Sequence, residues 1–137
     1  MIIQTGYMQP TAAQRRMIRE HGNGDFTGQL PPDFGPVPMF DGWTPELESM
    51  IAIKMRCVGP HKDDWVGSRP YPHRYLSVFW LTKALIGTDF CLHVRNEQIK
   101  MTAGQWVLFN DGLMHSVFAE RLWHGVAYQM RPTGDDA

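Results

Sequence analysis

Apolar and polar residues alternate along most of the chain after residue 46, in short runs separated by turn residues. Alternation with a period of two is typical of a strand that buries one face. Residues 50–58 show it most clearly, since charged side chains occupy one side and the other side holds Ile51, Ile53, Met55 and Cys57. Runs rich in β-branched and aromatic residues predict further strands at 74–82, 90–95, 105–110, 115–119 and 122–130. Turn residues stand between the strands at 59–60, 86–89, 103–104 and 111–112. Closely spaced strands without helices between them predict a mainly β protein, an antiparallel sandwich or barrel.

The first 45 residues show a different pattern, with one helical signal followed by many glycines and prolines. Thr11 and Gln14 form a capping-box pattern, which predicts a helix from Ala12 to His21 that ends at Gly22. Residues 24–38 contain too many glycines and prolines for a regular element. We therefore expect one domain over 1–137, with a helix and an extended arm in 1–45, a β core in 46–131 and a tail in 132–137.

Composition narrows the class of protein. Of 137 residues, 43% are hydrophobic and 20% charged, which excludes a disordered chain. The net charge of -1 argues against a protein that binds nucleic acid or membranes by electrostatic attraction. Cys57 and Cys91 lie in apolar runs at no metal-like spacing, so we expect buried thiols in a reducing compartment. With no secretory signal and no apolar run of 18 residues, the sequence predicts a cytoplasmic protein.

Candidate chemistry follows the first predicted core strand, in the segment Gly-Pro-His-Lys-Asp-Asp at 59–64. His61 and Asp63 are two residues apart, so an extended chain projects them to the same side. Asp64 would project to the opposite side and is the minor alternative ligand. A second histidine, His115, begins a later predicted strand. Two imidazoles and one carboxylate on one face of an ion are the ligand set of non-haem Fe(II) oxygenases, and they leave three positions open.

The order of these elements resembles that of the 2-oxoglutarate- and Fe(II)-dependent oxygenases, particularly their prolyl-hydroxylase-like branch. The shared order is a strand, His-x-Asp, about 50 β-rich residues, a Gly-x-x-x-Leu-Phe-x-Asp segment at 104–111, and then a histidine. The resemblance covers about residues 48–131. It implies a double-stranded β-helix (jelly-roll/cupin-like) core with His61, Asp63 and His115 as iron ligands. It also implies a dioxygenase that hydroxylates a substrate C–H while dioxygen converts 2-oxoglutarate to succinate and CO₂.

The resemblance further implies an Arg or Lys on the last core strand that holds the distal carboxylate of 2-oxoglutarate. Arginine suits this role because its planar fork binds carboxylates in a bidentate manner. This chain has His124 near the usual position, so the candidates are Arg131 first and Arg121 second. Tyr75 is a possible second contact to the cosubstrate, and a core residue is the alternative interpretation.

Two other functions remain open. A cupin-like metal enzyme without 2-oxoglutarate ranks lower, because cupins usually show His-x-His and a later Glu, and this sequence contains no His-x-His. A non-catalytic β-barrel that binds a ligand or a protein is the other alternative. The sequence leaves the substrate open among protein side chains, nucleobases and small metabolites.

Overall fold

The computed structural model describes residues 2–61, 65–66, 69–70, 75–85, 87, 89–110 and 115–134, with only the backbone of residues 58, 60–61, 65–66 and 69–70. The described chain contains one α-helix, one short 3-10 helix and twelve strands. In chain order they are β1 (Ile2–Tyr7), α1 (Ala12–His21), β2 (Trp43–Pro45), the 3-10 helix (Leu47–Ser49), β3 (Ile51–Met55), β4 (Val58–His61), β5 (Trp65–Val66), β6 (Arg69–Pro70), β7 (Leu76–Lys83), β8 (Phe90–Val94), β9 (Glu97–Lys100), β10 (Gln105–Phe109), β11 (His115–Ala119) and β12 (Trp123–Pro132).

Most of the strands form two antiparallel sheets. The large sheet has the order β1-β10-β7-β12, with β2 and β3 both pairing with the far edge of β12. The small sheet has the order β4-β11-β8-β9, and β5 pairs with β6 in a separate ribbon. From β3 to β12 the chain crosses repeatedly between the sheets, so β3, β7, β10 and β12 lie in the large sheet and β4, β8, β9 and β11 in the small one. This winding of eight strands is the jelly roll, also called the double-stranded β-helix, and it confirms the predicted mainly β fold class.

An apolar cluster fills the space between the two sheets, which we call the interior. Its members come from alternate positions of strands in both sheets, together with Met101 just after β9: Ile53, Phe79, Leu81, Phe90, Leu92, Val94, Met101, Val107, Phe109, Val117, Ala119 and Trp123. Phe79, Phe90 and Trp123 form a compact aromatic trio with ring centroids 5.1–5.6 Å apart. Burial of each such side chain contributes about 1.5–3 kcal/mol, so the trio is a main source of adhesion between the sheets.

A second apolar cluster covers the outer side of the large sheet. Helix α1 and the arm supply Ile18, Leu30, Phe34 and Val37, which pack against outward-facing residues of β3, β7, β10 and β12. Two hydrogen bonds tie the arm to the sheet, from Trp80 Nε1 to the Met8 carbonyl (2.9 Å) and from Tyr128 Oη to the Pro38 carbonyl (2.6 Å). The arm is therefore part of the packed structure.

Helix α1 has the bounds that the sequence predicts. The Gln14 backbone N–H donates to Thr11 Oγ1, and the Thr11 N–H donates to Gln14 Oε1, both at 3.0 Å. Gly22 ends the helix, with its N–H donating to the Ile18 carbonyl. The capping box thus satisfies two of the N–H groups that every helix start leaves unpaired.

Four features differ from the sequence expectation. The predicted strand at 50–58 is two strands, because the chain passes from the large sheet to the small one between β3 and β4. The predicted turn at 59–60 therefore lies inside β4. Cys57 lies at this crossing and is exposed, and Cys91 is only partly buried, so the expectation of two buried thiols was wrong. Five strands were not predicted at all, namely β1, β2, β5, β6 and β9.

The remaining turn and membrane expectations have simple outcomes. The turn at 103–104 is confirmed, with Gly104 at a φ of 95° that favours glycine. The turn at 111–112 lies outside the described residues, as do residues 86 and 88 of the turn at 86–89. Within the described chain, no helix is long and apolar enough to cross a membrane.

Candidate functional site

His115, the first residue of β11, lies in the interior. It is 7% exposed and shares its side of the strand with Val117 and Ala119, which belong to the interior cluster. Its imidazole packs edge-on against the ring of Phe109, with centroids 5.1 Å apart and planes at 65°. A histidine is rarely placed among apolar side chains without a specific partner, so this position suits a metal ligand or a hydrogen-bonded core residue.

The backbone position of His61 lies beside that of His115. Strand β4 pairs antiparallel with β11, and His61 is the register partner of His115. The Cα atoms of such partners are about 4.5–5.5 Å apart. Strand pairing therefore brings together two histidine positions that are distant in sequence. Asp63 and the alternative ligand Asp64 lie outside the described residues.

The described side chains do not by themselves form a metal centre. Among them, no three His, Cys, Asp or Glu residues come together as a metal-binding group. Asp63 and the side chain of His61 are not part of that set. The predicted ligand set of His61, Asp63 and His115 therefore stays a prediction.

Two polar residues that the sequence did not single out lie at the same end of the interior as His115. Ser77 of β7 is buried and is the register partner of both Phe109 and Gln129. Phe109 contacts His115, and alternation places Ser77 and Gln129 on the interior sides of their strands. We call the region around His115, Phe109, Ser77 and Gln129 the His115 end. Each of the two is a polar residue at an interior position of a strand, a sequence signal that is too common to single out Ser77 and Gln129 by itself.

Arg131 is close to the His115 end but already has a carboxylate partner. It follows Gln129 by two positions on β12, so it lies on the interior side of that strand. Its Nε is 3.6 Å from Oε2 of Glu46, and both side chains are partly buried, at 30% and 17% exposure. The Glu46 N–H donates to the Gln129 carbonyl at 2.8 Å, which holds Glu46 against β12.

The other two predicted cosubstrate residues, Tyr75 and Arg121, lie at different places in the structure. Tyr75 is fully buried immediately before β7, and extension of the register beyond the last pair, Leu76 with Met130, places it opposite Arg131. Arg121 is exposed in the turn between β11 and β12, at the other end of β11 from His115. Six residues of extended chain span about 20 Å, so the structure does not bring Arg121 to His115.

A half-open cavity of about 730 Å³ lies elsewhere, between the arm and the segment from Pro45 to Met50. Prolines and other apolar residues form most of its wall, and His21, Gln29 and Glu48 are its polar residues. None of the residues of the His115 end lines it, so this cavity is distinct from the predicted metal centre.

Comparisons with known proteins add little to this picture. No protein-family model matches the chain, and no curated protein matches it. The crystal structure of a cupin-2 domain containing protein from Shewanella frigidimarina NCIMB 400 is similar, with 14% identity and a TM-score of 0.42. The similarity covers 69% of this chain and 74% of that one. The assignment of the jelly roll rests on the strand order of the two sheets.

Proposed function

We propose that this protein is an Fe(II)- and 2-oxoglutarate-dependent oxygenase that hydroxylates a substrate C–H. The observation that carries the proposal is the pairing of His61 with His115 across β4 and β11, with the His115 imidazole buried in the interior. Asp63 follows His61 by two residues and completes the proposed ligand set.

The residues present fit a divalent iron by the chemistry of their donor atoms. Two neutral imidazoles and one carboxylate are the donor set that Fe(II) takes in oxygenases of this type. When bound, the iron would supply dioxygen activation coupled to conversion of 2-oxoglutarate to succinate and CO₂.

The chain's own side chains would position and isolate that chemistry. Val94, the register partner of His115 on β8, is fully buried, and Phe109 covers the imidazole edge-on. Both exclude water from one side of the site, which strengthens the binding of charged groups there. Arg131 is the proposed anchor of the distal carboxylate of 2-oxoglutarate, and this binding would require the cosubstrate to displace Glu46 from the guanidinium.

A second candidate function is a cupin-like barrel that binds a metal or ligand without 2-oxoglutarate. The contact between Arg131 and Glu46 favours it, because an arginine that is neutralised by an internal carboxylate has less affinity for a second one. In that case the barrel would bind its metal through the same three residues.

Anaerobic titration with Fe(II), followed by 2-oxoglutarate, separates the two functions. The oxygenase should bind one Fe(II), develop a weak visible charge-transfer band only when 2-oxoglutarate is added, and form succinate on admission of air. His61→Ala, Asp63→Ala and His115→Ala should each weaken iron binding by more than about 100-fold, since changes outside the ligand shell already cost 10–100-fold.

His93→Ala is the matched control, because His93 lies on the outward-facing side of β8, between the buried residues Leu92 and Val94. It should leave iron binding and the band unchanged. Iron binding without the band would support the second candidate. Failure of the wild-type protein to bind Fe(II) would contradict the oxygenase.

A further inference from the structure

Two lysines flank a histidine on adjacent strands at the end of the barrel opposite the His115 end. His124 of β12 is the register partner of Lys54 on β3 and of Lys83 on β7. The register of β7 shifts here, so Lys83 rather than Thr82 lies opposite His124. Neighbouring strands are about 4.8 Å apart, so the three positions span about 10 Å. Helix α1 adds Arg19, whose carbonyl accepts a hydrogen bond from Lys54 Nζ at 2.7 Å.

The charges around His124 are all of one sign. Burial lowers the pKa of the partly buried His124, and Lys83, Lys54 and Arg19 lower it further. No described carboxylate forms an ion pair with any of these three cations. Lys54 and Lys83 flank His124 from the two neighbouring strands. The cluster is therefore a region of positive potential that favours a bound anion.

We propose that Arg19, Lys54, Lys83 and His124 form a binding site for a phosphate-bearing small molecule. A phosphate group carries up to two negative charges and accepts several hydrogen bonds, which ammonium, guanidinium and imidazolium groups all donate. A span of about 10 Å fits one or two phosphate groups. The net charge of -1 and the presence of Glu20 beside Arg19 make a long polyanion such as nucleic acid a poor fit.

The proposal predicts a coupling between binding and protonation. An anion in the cluster offsets the repulsion from Lys83, Lys54 and Arg19, so it should raise the pKa of His124. By linkage, the pKa of His124 should be higher in the presence of saturating phosphate than in chloride. This pKa difference is the readout, because phosphate itself also takes up a proton as pH falls from 7.5 to about 6. The site shares no residue with the proposed iron centre, so either proposal can fail alone.

The test is an NMR titration of the histidine Cε1–H resonances with inorganic phosphate, at constant ionic strength held with NaCl. We expect the His124 resonance to shift with saturation and its pKa to rise. Lys83→Gln is the main variant, because Lys83 is exposed and its loss should not disturb packing. It should weaken phosphate binding by about fivefold or more.

Lys100→Gln is the matched control, since Lys100 is an exposed lysine on β9 that lies 3.9 Å from Asp89. It should bind phosphate as the wild type does. A second arm uses glycerol 3-phosphate, and tighter binding of this ester than of inorganic phosphate would identify an organic phosphate as the ligand, whereas equal binding would identify the free ion. A response that NaCl alone reproduces, or a Lys83→Gln variant that binds phosphate normally, would overturn the proposal.

Discussion

Arg131 and Glu46 form a partly buried ion pair beside the His115 end, and the role of each depends on the other. Partly buried charge pairs gain from each other, but either charge becomes costly when its partner is removed. If Arg131 anchors 2-oxoglutarate, Glu46 is a competitor that the cosubstrate has to displace. If Arg131 has only a structural role, Glu46 is its permanent partner.

Substitution of the two residues should therefore move cosubstrate affinity in opposite directions. Glu46→Gln should lower the concentration of 2-oxoglutarate that gives half-maximal succinate formation by several-fold. Arg131→Ala should raise it by about 30-fold or more, which corresponds to the loss of at least 2 kcal/mol from a buried charge pair. Fe(II) affinity should stay unchanged in both variants, since neither residue is a proposed ligand. If Glu46→Gln instead raises the concentration, Glu46 positions Arg131 and does not compete.

The sequence predicts only part of the His115 end, because some of its residues belong to a recognisable motif and others are identified only by strand pairing. His61 and His115 stand out because the order of a strand, His-x-Asp, a β-rich stretch and a second histidine resembles a known ligand pattern. Ser77 and Gln129 do not stand out, since single polar residues in apolar runs are common. Only the pairing of β7 with both β10 and β12 shows that they share a row next to His115.

At the level of elements, local signals predicted helix α1 fully and the strands unevenly. The helix is specified by Thr11, Gln14 and Gly22, whose capping hydrogen bonds are all local in sequence. Strand β1 carries no such signal, because most of its residues are exposed and it is held by backbone pairing with β10. The crossing at residues 56–57 was also hidden, since the alternation of apolar residues continues to Cys57 although the strand ends at Met55. Both β1 and the crossing are set by strand pairing between residues that are distant in sequence.

Helix α1 offers a prediction about the capping residue Gln14. This side chain is 1% exposed, caps Thr11 and donates from Nε2 to the Pro36 carbonyl at 2.5 Å, so it connects the helix start to the arm. Gln14→Ala should lower the free energy of unfolding by about 1–3 kcal/mol, because it removes both the capping bond to Thr11 and the bond to the Pro36 carbonyl. Arg16→Ala, an exposed change on the same helix, should stay within about 0.5 kcal/mol of wild type. Urea denaturation measures both, and equal effects would contradict the role of Gln14.

At the level of the whole molecule, the interior and the arm-covered outer cluster make the large sheet a middle layer with packing on both faces. The small sheet is held to it through the interior, where Phe90 of β8 contacts both Phe79 and Trp123. The outer side of the small sheet exposes apolar residues such as Phe118. Adhesion between the sheets therefore depends on interior aromatic packing.

Phe90→Ala should lower the free energy of unfolding by about 3–5 kcal/mol, since the residue is 1% exposed and its removal leaves a cavity between the sheets. Phe118→Ala is the matched control, because Phe118 lies on neighbouring strand β11 but is 58% exposed. It should change stability by no more than about 0.5 kcal/mol. Chemical denaturation followed by tryptophan fluorescence, with Trp123 beside the substituted ring, reports both. Similar losses in the two variants would show that the interior is not the main contact between the sheets.

The charge cluster around His124 should make stability depend on pH in a defined direction. Burial, followed by Lys83, Lys54 and Arg19, lowers the pKa of His124 in the folded protein below its ordinary value of about 6.5. Between these two pKa values the unfolded chain binds more protons than the folded one, so the free energy of unfolding should fall as pH decreases through about 6.5. His124→Gln removes the titrating group and should flatten this fall, and Lys83→Gln should flatten it partly because it removes a cation next to His124. Urea denaturation at intervals from pH 7.5 to 5.5, in a chloride medium free of phosphate, measures the slope for all three proteins. Identical slopes in wild type and His124→Gln would show that the cluster does not act on folding through this histidine.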